Sequence, residues 1–165
     1  MKIIVADSSS LILLTKTDII QTVVKHFEVY IPPSVYREVV QEIPDIRYPD
    51  AKGIKRLIEA KKITLEQNTK KQEFPVTLDS GEEDALSLFF QVKADAFLTD
   101  DGKAIKVCRY LNIPFINSTK LIVSLCKKGW IKKDIAIEAL EVLREIGRYA
   151  PDIISRAFLE LAEEE

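Results

Sequence analysis

Lys2-Ile3-Ile4-Val5-Ala6-Asp7-Ser8-Ser9-Ser10-Leu11 is the stretch from which the fold is read. Its first half is a short, almost continuous apolar run, the pattern of a strand covered on both faces inside a parallel sheet. Asp7 stops that run, and three serines follow that can cap an apolar helix beginning at Leu11. The same order of strand, polar stop and helix recurs downstream. Ile19 to His26 carries a helical stripe, and Phe27 to Ile31 (FEVYI) is a β-branched and aromatic strand. Pro32-Pro33-Ser34 then opens a helix over Val35 to Glu42, with prolines where a missing N–H is harmless. Ile43 to Pro49 reads as a loop, Ala51 to Ala60 as a helix and Ile63 to Glu66 as a short strand. Gln67 to Thr77 is polar and reads as an irregular, mobile connection. Asp79 to Asp84 begins a helix running to Val92, its first turn crowded with acids that complement a helix N-terminus. Ala96 to Thr99 is a strand closed by Asp100-Asp101-Gly102, Lys103 to Leu111 a helix, and Pro114 to Ile116 a strand. Helices follow over Thr119 to Lys128, Lys133 to Ile146 and Pro151 to Ala162. Strands alternating with helices predict an α/β fold with a mainly parallel central sheet and extra C-terminal helices.

A chain of 165 residues can bury roughly 70% of the surface its unfolded form exposes, so it needs neither disulfide nor structural metal to fold. Cys108 and Cys126 stand far apart in helix-like segments, and with His26 alone they cannot make up a zinc site. They read as buried structural thiols. The charge balance is 24 basic against 26 acidic residues, a net of -2. That excludes a strongly basic nucleic-acid-binding domain, so a polyanion must be met by a local basic patch or through a metal ion. No stretch approaches the roughly 18 apolar residues of a membrane span, and Ile3 to Ala6 is too short for a signal-peptide core. A cytoplasmic protein without a membrane partner is expected.

In an open parallel sheet, ligands bind beyond the carboxyl ends of the strands. Asp7 falls there after the first strand, and Asp100 and Asp101 after the strand AFLT. Glu38 lies one turn into the helix after FEVYI, and Glu82 and Asp84 lie in the first turn of the helix after Gly81. Each acid by itself is ordinary: a helix cap, a complement to a helix dipole, a surface residue or a turn. Their convergence is not, because crowded carboxylates repel and raise one another's pKa. A divalent cation would neutralise the cluster, and a donor set made only of oxygens matches Mg²⁺ or Mn²⁺.

Four patterns occur in this order: V-x-D-S-S (Val5 to Ser9), I-P-P-S-V-x-x-E-V (Ile31 to Val39), S-G-E-x-D-A-L (Ser80 to Leu86) and F-L-T-D-D (Phe97 to Asp101). Together they resemble the PIN domain, most closely its VapC-type branch of short prokaryotic proteins related to the toxin nucleases of toxin–antitoxin pairs. The resemblance runs from Ile3 to about Ile146. It implies a three-layer, Rossmann-like α/β/α fold, with residues 1–147 as the nuclease domain and 148–165 as a helical extension packed on it. It also implies cleavage of single-stranded RNA with Mg²⁺ or Mn²⁺. The family's acids fall on Asp7, Glu38, Asp84 and Asp101, with Glu82 and Asp100 as rivals for the last two places. Ser9 and Thr99 match small hydroxyl positions that support the site. The implied chemistry is metal-assisted phosphodiester hydrolysis, the cation polarising a phosphoryl oxygen and activating a water. The implied partners are RNA, an antitoxin protein and a second copy of the chain in a homodimer.

RNA needs cations, and Lys103, Lys106 and Arg109, on the helix after Asp101, are the preferred phosphate contacts. Lys52, Lys55 and Arg56 beside Lys61-Lys62, and Lys127-Lys128 with Lys132-Lys133, are further basic groups. Trp130 reads as packing under the C-terminal helices rather than as a stacking surface for a base. Two rivals stand against the nuclease. In a phosphoaspartyl phosphatase a second Asp would follow the first by two residues, and Ser9 occupies that place. A non-catalytic PIN-type module binding RNA or protein through a vestigial acidic site is the other, and the retention of every acid counts against it.

Overall fold

Apolar strand cores and parallel pairing put five strands side by side in the order β3-β2-β1-β4-β5. The strands are β1 (Lys2–Ala6), β2 (Phe27–Ile31), β3 (Ile63–Leu65), β4 (Ala96–Leu98) and β5 (Phe115–Ile116). Each pairing is parallel: Ile4 lies opposite Val29 on one side and Ala96 on the other, and Leu98 opposite Ile116. This is a computed structural model, and it describes residues 1–41, 50–147 and 149–163. The loop expected over 43–49, the end of the preceding helix and the last two acidic residues lie outside the described residues.

The helices are α1 (Ser8–Lys16), α2 (Ile20–His26), α3 (Pro33–Tyr36), α4 (Asp50–Glu59), α5 (Ser80–Gln91), α6 (Gly102–Leu111), α7 (Ser118–Lys127), α8 (Lys133–Ile146) and α9 (Pro151–Ala162). They cover both faces of the sheet in a three-layer α/β/α arrangement, so the central strands are apolar on both sides. Val5, Ala6, Phe97 and Leu98 are fully buried. The chain runs β1, β2, β3 in one direction across the sheet, then returns to the other side of β1 for β4 and β5. That reversal leaves a crevice beyond the carboxyl ends of β1 and β4, where parallel sheets place their ligands. α7, α8 and α9 pack against one another.

Several local details differ from the sequence expectation, each for a physical reason. The first helix begins at Ser8 rather than Leu11, because Asp7 itself is the cap: its backbone is extended and its carboxylate accepts the Ser10 N–H at 3.1 Å. α3 ends after four residues and continues as a π-helical turn over Arg37–Gln41, which carries Glu38. Such turns concentrate at functional sites. The connection over Gln67 to Thr77 holds no helix or strand but is laced onto α5. The Asn68 side chain donates to the Asp84 carbonyl at 2.9 Å, and the Gln72 N–H to Ser87 Oγ at 3.1 Å. The ring of Trp130 stacks on His26 at 4.0 Å and meets the edge of Phe27. Both cysteines are free; Cys108 is buried, but Cys126 only partly so.

Candidate active site

Asp7 leaves β1 at the crevice and is 2% exposed. A carboxylate so buried needs donors, and it has three. Ser9 Oγ donates to Oδ1 at 2.7 Å, the Ser10 N–H to the same oxygen, and the Thr99 hydroxyl to Oδ2. The two hydroxyls also accept. Ser9 Oγ takes the Asp100 N–H and Thr99 Oγ1 takes the Asp101 N–H, both at 3.1 Å. Asp7 is thus pinned to the backbone that follows β4. Burial nevertheless outweighs these bonds and lifts its pKa from 3.8 to about 6.

Around Asp7 lies a cleft of about 270 Å³, lined by Ser8, Ser9, Ile12, Glu38, Asp79, Glu82 and Asp101. Glu38 reaches it from the π-helical turn and accepts a hydrogen bond from the Ser8 hydroxyl. It also lies against Gly81: a Cβ at that glycine would stand 2.8 Å from Glu38 Oε1. The glycine of the S-G-E pattern therefore makes room for a carboxylate. Asp79 caps α5, accepting the Glu82 N–H at 2.9 Å. Glu82 faces Asp101, and its pKa rises from 4.5 to about 8. Burial is the main cause, followed by its hydrogen bond to the Asp101 side chain and the charges of Asp101, Asp79 and Asp7.

Geometry separates the two pairs that the sequence leaves open. Residues two apart on a helix point about 200° away from each other, so Glu82 and Asp84 cannot both face one cleft. Glu82 lines it. Asp84 is buried outside that lining, with Lys71 Nζ 3.7 Å from its Oδ1 and no hydrogen bond to that oxygen. Consecutive residues on extended backbone also point opposite ways. Asp101 lines the cleft and caps α6, accepting the Ala104 N–H at 2.9 Å. Asp100 turns the other way, into a ring of donors that local sequence patterns give no sign of. Ser10 Oγ and Ser118 Oγ donate to its Oδ2, both at 2.6 Å. The Ser118 N–H and the Tyr149 hydroxyl donate to its Oδ1 at 3.0 and 2.5 Å. Burial, with the Asp100 charge beside it, pushes the Tyr149 hydroxyl well above its ordinary pKa and keeps it a donor. Asp100 so joins α1, α7 and the α8–α9 connection to the end of β4.

Of the expected phosphate contacts, Lys103 and Lys106 line one cleft with Tyr110, whereas Arg109 lies over the Phe115 ring and lines another with Lys120 and Arg156. Positions three apart precess around a helix, and by the third the stripe has turned away. Ser8 and Asp79 line the acidic cleft without figuring in the sequence expectation. Ser8 could be found only from its contact with Glu38, but Asp79 had a signal, as the cap three residues before Glu82.

A family model described as a PIN domain matches residues 3–164. The chain belongs to the PIN domain family. PIN domains are in general nucleases and typically use divalent metal ions, and the match extends through α9. No curated protein matches the chain. Among the described residues, no three acidic, histidine or cysteine side chains already form a cage for an ion. Two of the candidates are engaged with other groups of the same cleft: Glu38 with Ser8, and Glu82 with Asp101. The donor set nonetheless fits a hard divalent cation of the family. The functional groups lining the cleft are carboxylates and hydroxyls, and a cation would replace the proton that now relieves the Glu82–Asp101 repulsion.

The close approach at Gly81 yields a prediction. Gly81→Ala gains helix propensity, up to about 1 kcal/mol, and presses on the end of the Glu38 side chain rather than on backbone. Chemical denaturation is therefore expected to show stability unchanged or slightly raised, while nuclease activity falls at least about tenfold. Wild-type activity in this variant would show that the position of Glu38 does not matter.

Proposed function

We propose that the chain is a metal-dependent endoribonuclease that hydrolyses phosphodiester bonds of single-stranded RNA with Mg²⁺ or Mn²⁺, as the toxin of a VapC-type toxin–antitoxin pair. One observation supports this above the others: Asp7, Glu38, Glu82 and Asp101, from four separate segments, line a single cleft at the carboxyl edge of the sheet. In this reading those four acids hold the cation. When bound, it supplies Lewis acidity at a phosphoryl oxygen and a more acidic water.

The remaining work belongs to the chain's own groups. Ser9 and Thr99 hold Asp7 toward the cleft, Ser8 holds Glu38, and Gly81 leaves Glu38 its space. Asp100 acts as a positioning residue through Ser10, Ser118 and Tyr149. Lys103 and Lys106 meet RNA phosphates, and Arg109 contributes from the neighbouring cleft if the strand extends that far. A homodimer is the proposed assembly. Leu159 on α9 is an exposed large hydrophobic that a second copy would cover. No helix among the described residues is long and apolar enough to cross a membrane.

Asp7→Asn tests the reading directly. It keeps the size and most hydrogen bonds of the side chain but removes its charge, so Mn²⁺-dependent cleavage of a single-stranded RNA should fall at least about a hundredfold. The unfolding temperature should hold or rise, because a buried charge has gone. Full cleavage by the variant would sink the assignment, and cleavage by neither protein would turn the reading to a non-catalytic module. For the assembly, light scattering at tens of micromolar protein should give twice the mass of one chain, and a monomeric mass would refute the dimer.

A further inference from the structure

Lys103, Lys106, Val107 and Tyr110 stand three, four and seven positions apart on α6 and so share one stripe. Opposite them, Pro75 and Val76 from the connection between β3 and α5 form a second wall, and the two walls enclose a cleft of about 520 Å³. Its chemistry is the reverse of the acidic cleft: an apolar trough edged by two lysines, with no carboxylate among its lining residues. Val107 is its buried floor, while Tyr110 is 73% exposed and Val76 49%. Among the described residues neither lysine is committed to an ion pair, and the Tyr110 ring stacks on no other ring.

A trough that offers an exposed aromatic face and an apolar wall between ammonium groups suits a ligand that is flat and apolar in one part and anionic in the next. A nucleotide with an unpaired base meets both conditions, and a base inside a duplex cannot present its face. We propose that this cleft is a nucleotide subsite for single-stranded RNA. One unstacked base lies on Tyr110 against Pro75 and Val76, while Lys103 and Lys106 hold the flanking phosphates. The proposal rests on the nuclease reading above and adds the feature that selects single strands. The helix carrying the subsite is capped by Asp101, and Tyr110 lies nine residues further on, roughly 13 Å along the axis. The base it holds therefore stands a few nucleotides from the bond to be cut, in one fixed direction.

The test is anisotropy of a labelled single-stranded RNA 12-mer with the full chain in EDTA, followed by cleavage of the same oligomer with Mn²⁺. Tyr110→Ala should weaken binding about tenfold, and Tyr110→Phe, which keeps the ring, should restore most of that loss. Lys103→Gln with Lys106→Gln should flatten the salt dependence of binding. Walking one abasic nucleotide along the 12-mer should reveal a position at which wild type and Tyr110→Ala bind alike, because the stacking partner is gone. Binding of duplex RNA should not respond to Tyr110→Ala. If Tyr110→Ala binds and cleaves the single strand as wild type does, the subsite is overturned and the nuclease reading survives. The subsite is likewise overturned if the variant changes only the mass in light scattering, for the cleft is then an interface between copies. If the wild type binds through Tyr110 but never cleaves, the subsite stands and the nuclease reading falls. A protein that neither binds nor cleaves overturns both.

Discussion

The buried carboxylate of Asp7 is the constraint around which the site is built. A 2% exposed acid at the end of a central strand would be costly without donors, and the donors it has recruited tie the molecule together. Ser9 and Thr99 each donate a hydrogen bond to Asp7 and accept one from an N–H of the backbone after β4. The carboxyl ends of β1 and β4 are thus locked at the point where the sheet changes direction. Once they are locked, Asp101 must turn into the crevice and Asp100 must turn out of it. The outward Asp100 then becomes the anchor for α1, α7 and the α8–α9 connection.

Much of this was legible in the sequence because parallel strands and their polar stops are local signals. KIIVA, FEVYI and AFLT supply strands of a parallel sheet, as expected, and the acids that follow them lie at the carboxyl edge. What was not legible is which way side chains point once a chain segment is docked. Glu82 and Asp84 both fit a first-turn pattern, and only the packing of α5 turns Glu82 to the cleft and Asp84 away from its lining. Lys103, Lys106 and Arg109 look like one basic row in sequence but serve two clefts. Tyr149 reaches Asp100 from 49 residues away, and no spacing rule could have found it. Trp130 packs on His26 for the same reason: its partner is distant in sequence, and an aromatic residue fits many cores.

The net charge of -2, a balance over the whole sequence, hides two opposed surfaces close to one helix. At the N-terminus of α6, Asp101 joins Asp7, Glu38, Asp79 and Glu82; along its length, Lys103 and Lys106 edge an apolar trough. The acidic end is self-repelling. Burial above all, and for Glu82 also the facing Asp101, raises the pKa of Asp7 to about 6 and of Glu82 to about 8. Raised carboxylate pKa values favour folding most below the ordinary range, and that contribution is lost as pH rises through the raised values. At neutral pH a bound cation would have to restore it.

Proton release on cation binding is therefore the sharpest probe of this acidic cleft. Mn²⁺ titrated into the protein at pH 7, by calorimetry in two buffers of different ionisation enthalpy, reports both binding and the protons exchanged. Saturable binding with net release of protons is expected, because burial and the facing Asp101 raise the pKa of Glu82 to about 8. Binding without proton release would contradict the raised pKa of Glu82, and no saturable binding would contradict the claim that these four carboxylates are assembled to hold a cation.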